Sequence, residues 1–506
     1  MLGLPLGLDG LAELSPQGLK THTMDTLVQM CLNGSRQRPQ VLEVEDLHWI
    51  DATSEEGLAL LVARLAGAPI LLVTTYRPGY RPAWLDKSYA TQLALARLTP
   101  QDSRRVLQAV WHAGPTAERL TQEIVAKAEG NPFFLEELAW MVWEQGEHAQ
   151  HLPMPDTIQA VLAARLDRLP PEEKRLVQTT AVISTEVPFP LLHAIAEMPE
   201  AVLHRGLAHL QAAEFLYETH LFPEHVYTFK HALTHEVVYG GLLQERRRLL
   251  HARIVDALEA LAGDRVPEQV ERLAHHALRG EVWDKALTHF RQAGEKALAR
   301  SAHREAVWYF EQALSALAHL PEQRATREQA IDLRLALRTA LLPFGDLGRV
   351  LGYLREAEAL ATALDDYRRL GQATHFLSRH FYLRGAYDQA VASAQHTLAL
   401  ATANGDVALH ALANFHLGIA YQAQGDYRRA MDCFNRTVAC LDGAQRYERF
   451  GQVIFPVVHS CANLASCHAE LGTFPEGSAL GEEGLRIAEV VEHPARRPSR
   501  CTSLWT

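Results

Sequence analysis

The chain has 506 residues, 48% of them hydrophobic, and a formal net charge of −11. That length predicts about three or four domains of ordinary globular packing, and the negative balance argues against a general nucleic-acid binder. The six cysteines show no paired metal spacing and fit reduced thiols rather than a disulfide framework.

In chain order, residues 16–32 predict an amphipathic helix, with Ser15 as its cap and Pro16 in the first turn. The stretch Pro39 to Asp51 follows. It reads as a short buried strand, 40–45, ending in the adjacent acids Glu45 and Asp46. This is the layout of a Walker B segment, in which acids at a strand's carboxyl end hold Mg²⁺ and position water. Glu43 is awkward within that strand, since an unpaired buried carboxylate is costly, so it must be exposed or the strand damaged. Thr53 and Glu56 have the spacing of a capping box. The helix after them turns Leu58, Leu60, Leu61 and Leu65 inward. Ile70 to Thr75 is a second buried strand, and strand, helix, strand implies a parallel crossover. Gln92 to Leu98 predicts a third strand.

Helices are expected from Thr99 to about residue 148, broken at Gly130-Asn131-Pro132. Pro153 and Pro155 mark a linker, and Asp156 is read as the cap of the next helix. Further helices lead to two β-like runs, Phe215–Thr219 and His225–Phe229, which together suggest a winged helix. Beyond about residue 231 the chain reads as helix only. Within it, Leu417, Gly418, Tyr421, Ala430 and Phe434 sit at the offsets of a TPR-type helix pair. So do Gly294, Ala297, Ala306, Phe310 and Ala313 and, more loosely, Leu377, Phe381, Ala390 and Ala394. The 40-residue step from Ala390 to Ala430 predicts repeats longer than the usual period of about 34. Degenerate units are expected near 350–357 and 464–484, and an unfolded tail from 491. No run of about 18 apolar residues marks a membrane span, and the first nine residues lack the plan of a signal peptide. A cytoplasmic protein is expected.

Each candidate site has a plain structural alternative. Glu45 and Asp46 are also what a solvated strand end looks like. Thr74 to Arg77 is also a strand running into a loop. Gly130 to Phe134 is also a helix break with a new amphipathic helix from Leu135 to Val142. His231 and His235, four apart on an expected helix, suggest a metal pair only weakly, because no carboxylate partner is placed. Arg246, Arg247 and Arg248 read as a solvated helix face. No Gly-x-x-x-x-Gly-Lys-Ser/Thr loop, the usual cradle for nucleotide phosphates, occurs anywhere in the chain.

Taken in order, the segments Glu45 to Asp51, Gly130 to Glu137, Tyr227 to Glu236 and Leu243 to His251 resemble STAND-class AAA-like ATPases. Such modules accompany class III adenylate or guanylate cyclase domains and LuxR-type regulators, and the soluble adenylyl cyclases look similar. The resemblance runs from about residue 10 to 490. It implies a mainly α chain with a partial P-loop-type α/β core lacking its phosphate-loop strand (1–98), a helical lid (99–152), a winged-helix region (153–262) and a solenoid of TPR-like repeats (263–490). It also implies ATP or ADP with Mg²⁺ as cofactor in intact relatives. Glu45 and Asp46 would then serve metal and water, Arg77 the γ-phosphate, Pro132 the adenine and His231 the diphosphate. Only 39 residues precede the acidic strand, and they hold neither the loop nor its strand. The chain is therefore read as a truncated relative, with weak nucleotide binding and uncertain ATPase activity. It has no cyclase or DNA-binding output domain. The alternative is a non-catalytic scaffold that takes a protein or peptide on the concave face of its repeats, with no membrane partner, nucleic acid disfavoured, and oligomerisation left open.

Overall fold

A computed structural model describes residues 16–111, 118–145, 155–220, 224–450 and 454–490. Ser15, the linker residue Pro153 and the tail from 491 lie outside these residues. Contacts divide the chain into two compact units, one of residues 26–289 and one of residues 290–506 with the first 25. Among the described residues no helix is long and apolar enough to cross a membrane.

The 26–289 unit holds most of α1 (Pro16–Gln37), then β1 (Gln40–Val44), α2 (Ala52–Ala63) and β2 (Ile70–Thr74). β1 and β2 pair in parallel, Gln40 opposite Ile70 through Val44 opposite Thr74, with α2 as the crossover. Asp51 caps α2, accepting from the backbone of Thr53 and Ser54 at 2.9 Å each, so the capping box expected at Thr53 and Glu56 is not what starts this helix. Both strands alternate between half-buried and exposed residues. The expected uniformly buried strand at 70–75 is thus corrected: one face, with Val44 and Leu72, meets the core around Leu47, Val62 and Trp84, and the other bears Val41, Glu43, Leu71 and Val73. Glu43 is solvated, which removes the cost of a buried carboxylate.

The third strand, Gln92 to Leu98, does not form. Leu93 and Leu95 alternate as a strand should, yet are 83% and 98% exposed. A strand requires a neighbour's backbone groups, and here the Leu98 amide bonds to Gly130 O at 2.8 Å instead. The expected α/β core is accordingly a two-stranded pair within the described residues.

Next come α3 (Pro100–Val110), α4 (Glu118–Ala128) and α5 (Pro132–Gln145), packed on one another around Leu107, Ile124, Leu135 and Leu138. α6 (Ile158–Arg168) starts at Thr157, whose hydroxyl accepts from Ala160 N; Asp156, the expected cap, instead pairs with Lys127 at 2.8 Å. α7 (Pro171–Ile183), β3 (Glu186–Pro188), α8 (Phe189–Ala196), α9 (Glu200–Ala212), β4 (Leu216–His220) and β5 (Val226–Phe229) form three helices against a small antiparallel sheet. The expected hairpin is β4–β5. β3 pairs with the other edge of β5, and with only three residues it is too short to leave a pattern in the sequence.

α10 (Ala232–Gly240), α11 (Gln244–Ala262), α12 (Val270–Arg279) and the first half of α13 (Trp283–Ala299) close this unit. Gly280 lets the end of α12 touch α11: a Cβ there would lie 2.7 Å from Ala252 N. This approach brings two buried imidazoles, His251 and His276, within 2.8 Å through their Nδ1 atoms. His276 also hydrogen-bonds the Ile183 backbone, and with that proton on Nε2 its Nδ1 accepts from His251 Nδ1–H. That leaves His251 Nε2 to accept from Tyr239, 3.1 Å away. One neutral tautomer of each ring satisfies the whole chain; a second proton on His276 would set two N–H groups face to face, and one on His251 would turn the Tyr239 hydroxyl from donor to acceptor. Burial pushes His251 down to about 4 and His276 to about 3, with nearby positive groups adding to it. Both folded values lie below the ordinary 6.5, so the unfolded chain takes up protons first. Stability is therefore full above about pH 6.5 and falls as pH drops toward 3. The expected loss is about 2 kcal/mol per imidazole between pH 6.5 and 5. Urea unfolding at those two pH values checks it, and a His276→Asn variant should show a flatter dependence.

The second unit contains α14 (His303–Leu317), α15 (Arg324–Leu341), α16 (Leu347–Ala363), α17 (Tyr367–Leu383), α18 (Tyr387–Asn404), α19 (Val407–Ala423), α20 (Tyr427–Ala439), α21 (Pro456–Glu470) and α22 (Phe474–Val490). With the end of α13 they make an array of helix hairpins of the tetratricopeptide kind. Successive hairpins from α15 to α20 are separated by about 40 residues, as the spacing of Ala390 and Ala430 predicts. Each second helix offers a buried small or branched residue at the crossing: Ala306, Val350, Ala390, Ala430 and Gly477. Asp346, Asp366, Asp406 and Asp426 cap α16, α17, α19 and α20 through the amide three residues on. First helices of neighbouring hairpins, α15–α17–α19–α21, pack on one another, while the second helices do so less. The first helices therefore form the inner, more tightly curved wall.

Candidate functional site

The chain turns sharply after β1. Asp46 adopts a left-handed conformation (φ 51°, ψ 41°), and its amide donates to the Thr75 hydroxyl at 3.0 Å. Thr75 N bonds Val44 O, and Leu47 N bonds Thr75 O at 2.8 Å. These three bonds lock the acidic corner to the end of β2. A side chain that costs strain in this conformation persists where its surroundings fix it. Glu45 and Asp46 stay exposed, and among the described residues the Asp46 carboxylate comes near His48 alone, at 3.9 Å. Arg77 lies over the ring of Trp49, 5.7 Å from its centroid, so the residue expected to sense phosphate rests on an aromatic shelf.

Pro132, Phe133 and His231 form a second group. Gly130 has φ 74°, and a Cβ would stand 2.3 Å from Leu98 O, so glycine is required there for both reasons. Asn131 Oδ1 accepts from Phe133 N and Phe134 N and caps α5, with Pro132 in its first turn. Helix break and cap thus account for Gly130 to Pro132 locally, and Pro132 is exposed. His231 is the residue before α10 rather than within it, so it and His235 do not share a helix face. His235 Nε2 instead bonds Ala181 O at 2.8 Å. The His231 ring packs at a tilt against Phe133, centroids 4.0 Å apart, and its buried Nε2 has no partner among the described residues. Burial, with Lys230 beside it, holds its pKa below the usual value. Lys230 bridges Glu136 (2.8 Å) and Glu214 (2.6 Å), whose hydrogen bonds outweigh its desolvation and raise its pKa.

The predicted residues thus fall into two groups, Glu45–Asp46–Arg77 and Pro132–His231. Among the described residues no hydrogen bond, ion pair or ring contact joins them. The sequence reading missed what surrounds the second group: Glu137 of α5 and Arg165 of α6, both nearly inaccessible, form a buried ion pair. A lone Arg on an apolar helix face at 158–168 was the available signal.

No family model matches the chain. An uncharacterized protein of Rhizobium meliloti (strain 1021) is 30% identical over 345 residues, 65% of this chain. The chain spans 32% of that relative's length. Among solved structures, a signal transduction ATPase with numerous domains and a tetratricopeptide repeat sensor, from Pyrococcus horikoshii, aligns with 95% of this chain and 73% of its own. The identity is 14% and the TM-score 0.40. A putative kinesin light chain from Podospora anserina covers 41% of this chain and 96% of its own at 17% identity, TM-score 0.34. MamA covers 41% and 93% at 16%, TM-score 0.30.

Proposed function

We propose that this chain is a protein-binding module of a STAND-type signalling protein, and that its helical array captures an acidic peptide or protein segment. The observation that carries this is on the inner wall. Arg338 of α15 and Arg379 of α17 make no ion pair with any described residue, although Arg338 is buried. Arg338 lies over the Phe376 ring at 4.0 Å. Burial, with Arg379 close by, pushes its pKa down to about 9, and burial lowers that of Arg379 as well. Beside them His375 and His416 face each other at 3.1 Å, and burial holds His416 neutral. Two desolvated guanidinium groups without a counter-charge are costly. A carboxylate laid along this seam would supply one and accept bidentate bonds.

A second reading, a nucleotide switch with winged helix and lid, is supported by the locked Asp46 corner, by Arg77 over Trp49 and by His231 Nε2, which has no partner among the described residues. In that reading Glu45 and Asp46 would hold Mg²⁺. The phosphate cradle would have to come from residues other than these 506.

Fluorescence anisotropy on the full chain separates the readings. A short polyglutamate peptide should bind, and Arg338→Gln/Arg379→Gln, folded by circular dichroism, should weaken it about tenfold or more. No peptide binding, or an unchanged affinity in the double variant, would sink the scaffold reading. Tight Mg-ATP binding lost on Asp46→Asn would instead show a nucleotide site already complete in this chain.

A further inference from the structure

A cavity of about 530 Å³ opens in the 26–289 unit, and its lining includes none of Glu45, Asp46, Arg77, Pro132 and His231. Its back is the end of α7, residues 181–185, and its sides are α10, α11 and α12. The volume lies within the range of small-molecule sites. Its floor is the Tyr239–His251–His276 chain, whose hydrogen bonds are internally satisfied and which holds α11 against α12. The charges at its mouth are unbalanced. Arg272, His275 and Arg279 line it, all on α12, and the one carboxylate in the lining is Glu271. Arg272 has the uncharged amide of Gln269 as partner, at 3.2 Å, and burial lowers its pKa with no carboxylate opposing. The positive charge of Arg279 acts on both His251 and His275.

We propose that this cavity binds a small organic anion bearing phosphoryl or carboxylate groups, with Arg272 and Arg279 as its counter-charges and Ser184 and His275 as hydrogen-bonding partners. Two guanidinium forks seven residues apart on one helix stand on the same side after about two turns, so both can reach one polyanion. Neutral imidazole at His275 adds a donor without adding charge. The Tyr239 ring and the apolar end of α7 leave room for the uncharged body of the ligand. This site is independent of the acidic-peptide seam, which lies in the other unit.

Isothermal titration calorimetry on the full chain, at low salt and without Mg²⁺, tests it with pyrophosphate, inorganic phosphate and citrate as probes. One saturable site is expected. Arg279→Gln should weaken the best probe about tenfold or more, since a charge-assisted contact is lost. Arg272→Lys, which keeps the charge but loses the fork, should weaken it less. Arg205→Gln, an exposed control on α9, should leave it unchanged. Preference for pyrophosphate would assign a phosphorylated ligand, and preference for citrate a polycarboxylate. No saturable heat for any probe up to about 10 mM, or equal affinity in Arg279→Gln and the parent chain, would overturn the proposal. The Arg279 side chain is exposed, so that variant should fold and the test does not depend on Arg272.

Discussion

Replacing Arg165 by alanine is expected to lower the unfolding free energy of the 26–289 unit by about 3–5 kcal/mol. The Arg165 side chain is 3% exposed and that of Glu137 is 4%. Arg165 also donates to Ala213 O at 2.7 Å, at the end of α9, and lies 5.2 Å from the Phe215 ring centroid. One guanidinium therefore ties together α5, α6 and the start of β4. Without it the Glu137 carboxylate is left in a dry core, where burial already raises its pKa despite the arginine beside it. Lys230 is near enough to favour the charged form, but it is held by Glu136 and Glu214. A Glu137→Leu/Arg165→Met double variant should recover most of the loss, because it removes both charges and keeps the volume filled. Urea midpoints measured on the three proteins decide this. A single variant within about 0.5 kcal/mol of the parent would show that the pair is not holding these helices together.

Phe434→Ala should cost the helical array about 3–5 kcal/mol, and Gly418→Ala about 1–3 kcal/mol, for opposite reasons. Phe434 is fully buried, and its ring fills the space left by Gly418 on the facing helix. A Cβ on Gly418 would stand 2.5 Å from Phe434 Cε1. The first substitution opens a cavity and the second overfills a closed one. Their coupling is the sharper test. Combining Gly418→Ala with Phe434→Leu should cost less than the sum of the two singles, since a smaller, more adaptable side chain makes room for the methyl. Strict additivity in thermal melts would mean the two residues do not share one hole. Gly294 and Phe310 repeat the arrangement, also at 2.5 Å, so the same cycle there should give the same sign.

The helical array was the most legible part of the chain. Its repeats bury their faces against sequence neighbours, so the small-and-large pattern at Gly418, Ala430 and Phe434 carries both the local helix and its packing. The short sheet was less so. Leu93 and Leu95 alternate like a strand but have no strand partner among the described residues, and Ile70 to Val73 is continuously apolar but covered on one face. In the candidate site, the acids at 45 and 46 were readable as a corner at a strand end. Their locking to Thr75, 29 residues away, was not.

Alone, the sequence settled the helical majority, the repeat step of about 40 residues, the acidic corner after β1 and the absence of a phosphate-gripping glycine loop. These depend on propensity and periodicity within one segment or between adjacent ones. The tertiary structure decided which charges are paired. It set Glu137 against Arg165, left Arg338 and Arg379 without an ion pair among the described residues, and aligned Tyr239, His251 and His276 into one hydrogen-bonded chain. The physical reason is that the free energy of a charge or an imidazole depends on its desolvation and on neighbours brought in from distant segments, and neither is a property of the local sequence.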